Sequence, residues 1–481
     1  MRKSSTVFVT IISLVVLAAA LSVAVNGATA PNVARGRGGA DEAAEQAATT
    51  QQRLDALRAA RQAGTFGRRE AIVSRPAAGW LGERLLNTGT DDWEPAVAAD
   101  PNSPWVYVLA TRYGQPKPCA GNCPTPFIVL ERSDDGGRTW RDGVPLCACK
   151  GSGQFDPIIE VVPDTGDVYA IYMNGYNVVF VRSSDHGRTW SAPVPTYGNV
   201  SWNDKPVLTT SPDGRHVYVS WNGPQGGDPW MAVSHDRGAT WTQTKAVDSD
   251  RYYFAYDATV LPDGTVVFSE GSLTYTAPGG DPEGVVIQHA LISTDLGRTW
   301  RDIVVDTVPV GEPCADCRAD YYLGHSSVSS NAGGALVYAY DGASEPFGPQ
   351  RIYVRRSSDG GATWSGRTAL SVAGENATAP MLEFAGAREV RLAYFQTAGG
   401  DDPDRWHVWF RSSGDGGVTW GAPVKLSDAS SGAGYKTAQG FFEPYGDYGE
   451  IAVTNRGKTI AVWGEGFSWI GPGGVWINTQ T

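Results

Sequence analysis

Residues 182–190 read "RSSDHGRTW", and near copies recur five times: "RSDDGGRTW" ends at Trp140, "SHDRGATW" at Trp241, "STDLGRTW" at Trp300, "SSDGGATW" at Trp364 and "SSGDGGVTW" at Trp420. Successive tryptophans stand 50, 51, 59, 64 and 56 residues apart, so one unit of fifty-odd residues repeats along most of the 481-residue chain. Such a period marks a repeat architecture, a single large domain rather than several cores in tandem. Within each unit, apolar runs of five to seven residues are bounded by Pro, Gly and Asp. In the second unit "DPIIEVV", "DVYAIYM", "VVFVRSS" and "TWSAPVP" read as four short strands, with the quoted motif between the third and fourth.

The residue types of the motif suit a hairpin corner. Ser183 and Asp185 supply hydrogen-bonding groups for turn backbone that would otherwise be unpaired. Gly187 permits a positive φ, and Trp190 offers a large apolar plate between neighbouring sheets. A catalytic group has no use for six copies, whereas a structural corner does.

Ser-x-Asp-x-Gly-x-Thr-Trp between the last two strands of a four-stranded repeat resembles the Asp box, or BNR repeat, of the sialidase superfamily. Asp135, Asp185, Asp236, Asp295, Asp359 and Asp415 are its six aspartates. The resemblance implies an all-β propeller. Six repeats open at "EPAVAAD", "DPIIEVV", "KPVLTTS", "DATVLPD", "HSSVSSN" and "APMLEFA"; a seventh opens at "GEIAVTN" and the chain ends before its fourth strand. The segment "GERLLNT", Gly82 to Thr88, resembles a fourth strand and is expected to complete the last blade. The expectation is therefore seven four-stranded antiparallel blades closed by an N-terminal strand, with six blades, as in catalytic sialidase domains, the alternative.

Upstream of the propeller (79–481) the chain reads differently. Arg2 and Lys3 precede the apolar run Val7 to Val25, and Ala28-Thr29-Ala30 fits a cleavage site, so residues 1–30 read as an export signal. The run is also long enough to persist as a membrane anchor. Residues 31–78 read as a helical or flexible linker, with a helix near Asp41 to Arg61. A formal charge of −12 argues against nucleic acid as a partner, since phosphate binding needs a basic face. A secreted or extracytoplasmic monomer follows as the expectation.

The strand parse separates two rims. Short turns such as "SPDGR" share the Asp-box rim; long polar and aromatic loops, among them "TRYGQPKPCAGNCPTP", "GEPCADCRADYYLGH" and "AQGFFEPYGDYG", share the other, and loops of that kind bind ligands. Sialidase-like enzymes grip a carboxylate sugar with three arginines and cleave with a Tyr nucleophile, a Glu base and an Asp acid. The resemblance thus makes candidates of Asp92, Glu94, Arg112, Asp156, Asp204, Arg251, Asp257, Glu270, Arg318, Asp320, Tyr322, Glu443, Tyr445 and Asp447, with Arg351 and Arg405 on the same rim. The superfamily's Arg-Ile-Pro signature is missing, "DDWEPAVAADP" standing in its place, so no role transfers to an individual residue.

Cys119, Cys123, Cys147, Cys149, Cys314 and Cys317 fall on the loop-rich rim and, in an exported chain, read as disulfides. A metal site with His325 near Cys314 and Cys317 is the rival. No cofactor is expected; "GGDDPD", Gly399 to Asp404, offers calcium ligands without a full motif. Two functions fit: a sialidase-like glycoside hydrolase acting on glycans at the loop-rich rim, or a noncatalytic propeller that binds glycan or protein there.

Overall fold

The computed structural model describes residues 39–66, 74–114, 124–146, 152–223, 227–276, 281–311, 323–398, 405–429 and 433–481. Seven antiparallel sheets form a ring. Their innermost strands are Asp91–Ala99, Gln154–Val161, Asp204–Thr210, Tyr252–Val260, Ser326–Ser330, Ala377–Phe384 and Glu443–Val453. Each blade adds its second, third and fourth strands outward in chain order, apart from the last, whose outermost strand is Arg84–Leu85. Arg84 pairs with Ile477 and Leu85 with Trp476, so the N-terminal segment completes the seventh blade as its sequence implied. Two residue pairs are a short seam, and the flanks reinforce it. Leu81 and Leu86 donate amides to Thr479 and Val475, and the Arg84 guanidinium reaches the carbonyls of Gly137 and Arg138 in the first blade.

The Asp boxes are the corners that hold the ring. In each, the Asp carboxylate accepts from the Ser hydroxyl two residues before and from the Thr amide and hydroxyl four residues after, as at Ser293, Asp295 and Thr299. The Thr299 hydroxyl and amide bonds pull the Asp295 carboxyl down to about 2. The box glycine has two duties. Gly238 sits at φ +80, and a Cβ there would stand 2.1 Å from Phe180 of the preceding blade. Gly187, Gly297, Gly361 and Gly417 abut their preceding blades in the same way, and Gly137 abuts Ile460 of the seventh. Trp241 then packs edge-on against Phe180 at 5.4 Å. Gly136 and Arg237 donate amides to turns between first and second strands, which places the boxes and those short turns on one rim.

The other rim carries the ends of the second strands and the starts of the inner ones. Against it lies a helix, Gly39–Ala63, in the segment whose composition reads as a linker. Arg53 and Leu57 are its buried side chains among residues 47–63. The six cysteines lie outside the described residues.

Candidate functional site

Four inner strands share one device at their upper ends. Trp93 pairs with Thr111 and Ala96 with Leu109, so Glu94 and Pro95 together oppose a single residue. The same two-against-one bulge occurs at Asp156-Pro157, Lys205-Pro206 and Ala379-Pro380. In each, the residue before proline adopts a left-handed backbone: φ is +54 at Glu94, +50 at Asp156, +51 at Lys205 and +49 at Ala379. Proline discourages helical conformations in its predecessor, and a non-glycine residue held at positive φ costs on the order of 1–3 kcal/mol. Bulges re-aim side chains next to functional sites. Here they set Glu94, Asp156 and Lys205 on three consecutive blades.

These three groups meet. Thr111 Oγ1 donates to Glu94 Oε2 at 2.7 Å, and the Asp156 amide donates to the same oxygen at 3.0 Å. Burial, and then the Glu94 carboxylate against it, push the Asp156 carboxyl well above its ordinary range, while Lys205 opposes the shift. Lys205 Nζ lies 4.9 Å from the Tyr448 ring. Tyr448 reaches the cluster from a wider bulge, in which residues 445–448 oppose Gly464. Its hydroxyl is pushed up by burial, by the charges of Asp156, Glu94 and Asp204, and by a hydrogen bond with Asp156.

Below this cluster the inner strands enclose a central channel of about 430 Å³, whose wall includes Tyr256, His325, Ala379 and Tyr448. His325 is oriented from behind: its Nδ1 stands 3.2 Å from Asp341 Oδ2, an oxygen that also accepts from Thr378. Asp341 favours the tautomer that carries its proton on Nδ1. That Nε2 is buried without a partner among the described residues, and the Tyr256 ring lies 4.7 Å from the imidazole.

Deeper in the channel, carboxylates serve the ring itself. Glu450 accepts the Val97 amide of the next blade, and Asp257 accepts the Ser327 hydroxyl and Val328 amide. Burial pushes Asp257 up to about 6 and Glu383 to about 8. These groups cap the inward edges of neighbouring inner strands.

The other sequence candidates scatter. Arg112 forms a buried pair with Asp92, 2.6 Å, and leans on Glu131. Arg251 bonds Ser272 and the Val285 carbonyl; Arg351 bonds the Ser371 carbonyl; Arg405 lies over the Phe442 ring. Thus no three-arginine cluster forms among the described residues. Asp204 lies beside Asp156 and accepts the Lys205 amide. Glu270 is buried between the third and fourth blades, where it accepts the Ser220 hydroxyl, and Glu443 is buried in the last inner strand. Tyr445 is fully buried and donates to Asp91 at 2.6 Å. Arg318, Asp320, Tyr322, the Asp447 side chain and the 399–404 stretch lie outside the described residues. Among described residues no group of three His, Cys, Asp or Glu is placed to hold a metal. Lys205, Tyr448 and the Asp341-oriented imidazole are the additions, and the repeated X-Pro step is the signal that could have found the first.

Glu270 also carries a pH dependence. Burial raises its carboxyl to about 8, so the folded protein holds a proton there that the unfolded chain releases near 4.5. That contribution to stability is complete below pH 4.5 and is lost as pH rises through about 8. Glu270→Gln is expected to raise stability by about 2–4 kcal/mol at pH 9 and to leave it unchanged at pH 5. Urea unfolding at the two pH values checks this; an equal effect at both would contradict it.

The profile of the BNR repeat-like domain matches residues 197–458. No curated protein matches. Similar solved structures include a protein of unknown function from Dyadobacter fermentans, at 14% identity over 84% of this chain and 99% of that one, TM-score 0.46. The Hadza microbial sialidase Hz136 is 15% identical over 81% of this chain and 65% of its own, TM-score 0.44. An ulvan lyase of polysaccharide lyase family PL25 is 12% identical over 82% of this chain and 95% of its own, TM-score 0.48.

Proposed function

This chain belongs to the BNR repeat-like domain family, and on that footing we propose that it is an exported glycoside hydrolase whose centre is the Glu94–Asp156–Lys205–Tyr448 cluster above the channel. The observation that carries the reading is the buried Tyr448 hydroxyl beside the Glu94–Asp156 carboxyl pair, in which burial and Glu94 push the Asp156 carboxyl well above its ordinary range. Asp156 is the proton donor to the leaving glycosidic oxygen. His325 Nε2 takes the proton of a water whose oxygen bonds to the anomeric carbon as the glycosidic bond breaks. Lys205 favours an anionic sugar. Glu94 and Asp156 touch, whereas the acid and base of a two-carboxylate glycosidase stand about 5–9.5 Å apart, so these two carboxyls do not divide those roles between them. The scattered arginines argue against a sialidase-type carboxylate clamp. Binding without cleavage is the second reading, favoured by the stacked Tyr176 and Trp202 rings, 5.5 Å apart.

Export rests on the Arg2, Lys3, Val7–Val25 and Ala28–Ala30 pattern. Incubation with fluorogenic uronides, sialosides and neutral glycosides is expected to show turnover of an anionic substrate. Retention of glycans without turnover would select the binder, and neither would overturn both readings.

A further inference from the structure

The helix Gly39–Ala63 places one cation in a ring-lined pocket of the propeller. The Arg53 guanidinium carbon lies 3.7 Å from the Trp93 ring centroid, 5.0 Å from Tyr113, and 5.5 Å from both Tyr445 and Trp469. Its Nη1 donates to the Tyr445 hydroxyl at 3.0 Å, and that hydroxyl donates to Asp91 Oδ1 at 2.6 Å. Asp91 is fully buried and also accepts the Gly473 amide. Four rings around a cation, with a buried carboxylate relayed through a phenol, form a site for a planar, weakly hydrated guanidinium.

The propeller builds this pocket without the helix. Trp93, Tyr113 and Tyr445 belong to a core cluster with Phe155, Tyr169 and Trp221, and Trp93 meets Tyr445 edge-on at 3.9 Å. The helix is attached more lightly: of residues 47–63, Arg53 and Leu57 are its buried side chains, and most others are exposed. The pocket also adjoins the cluster above the channel. Trp93 precedes Glu94, and a Cβ on Gly446 would stand 2.9 Å from the Glu94 nitrogen.

We propose that the cage of Trp93, Tyr113, Tyr445 and Trp469 over Asp91 is a binding site for an arginine side chain presented by a peptide or protein, and that Arg53 is its intramolecular occupant. Docking of the helix and binding of an external arginine then exclude one another, so an arginine-bearing partner would lift the helix from the upper rim. The inference stands apart from the glycan reading.

The test uses the full chain and N-acetyl-L-arginine amide, followed by tryptophan fluorescence. Arg53→Ala is expected to bind the probe saturably, with a Kd at least tenfold below that of the unaltered chain, and adding Asp91→Asn is expected to weaken it at least tenfold again. Folding of each variant is checked by thermal melting. A folded Arg53→Ala chain with no saturable response, or one that matches the unaltered chain, would overturn the proposal. Leu57→Asp loosens the helix while leaving Arg53 and the cage intact. In that variant the probe is expected to accelerate saturably the cleavage of the helix at Asp55 by an aspartate-specific endoproteinase, and unchanged cleavage would overturn the proposal independently of Arg53→Ala.

Discussion

Lys436→Met is expected to cost the folded ring about 3–5 kcal/mol, the usual penalty for stranding a buried charge by removing its partner. The Lys436 side chain is 1% exposed and pairs with Glu83 and, at 2.6 Å, with Glu465. Glu83 directly precedes the closing strand and also accepts the Ala429 amide; Glu465, in the last blade, accepts from the Trp463 indole. The ammonium lies 4.0 Å from the ring of Trp476, the residue that pairs with Leu85. One cation therefore joins the N-terminal seam to the seventh blade. Burial, with Glu465 next to it, raises the Glu83 carboxyl well above its ordinary range, so protonation can relieve part of the loss. The variant's deficit is expected to be larger at pH 8 than at pH 5. Denaturant unfolding at both values measures it; a deficit under about 1 kcal/mol at pH 8 would mean that the charge does not brace the closure.

Asp156→Asn is expected to lower turnover by roughly 10²–10⁴-fold, the range associated with a positioned proton donor. Asparagine has the shape of the protonated carboxyl and cannot release its proton. Because burial and the contact with Glu94 already favour the neutral form of this group, the substitution is expected to leave the melting temperature unchanged or raised at pH 8. Parallel assays of rate and melting separate the two effects. A large fall in melting temperature would assign Asp156 to the framework instead.

The sequence shows the ring more plainly than the site, for a physical reason. Each Asp box is a local device whose partners lie within seven residues, as Ser133, Asp135, Gly137, Thr139 and Trp140 do, so its spacing survives in the sequence as a pattern. The seventh blade lacks a box, yet the fourth-strand resemblance of Gly82–Thr88 is enough to close it. Charged groups of the site carry no comparable signature. Asp92 and Arg112 are spent on each other inside the first blade, and Glu270 faces Ser220 across two blades, pairings that a linear reading does not contain. Within "EPYGDYG", Tyr445 has the look of a site residue; the four-residue bulge instead turns it towards Asp91 and sends Tyr448 to the channel. In the sequence the X-Pro steps at Glu94, Asp156 and Lys205 look like ordinary strand starts, because nothing in propensity announces a left-handed residue before proline.

The most direct test is a difference infrared spectrum of the carboxyl region, unaltered chain minus Asp156→Asn, at pH 7. The arrangement of Glu94, Asp156 and Tyr448 predicts a protonated-carboxyl band that is present in the unaltered chain and gone from the variant. Identical protonated-carboxyl absorbance in the two proteins would mean that no proton is held at Asp156, and the upper end of the channel would lose its claim to be the site.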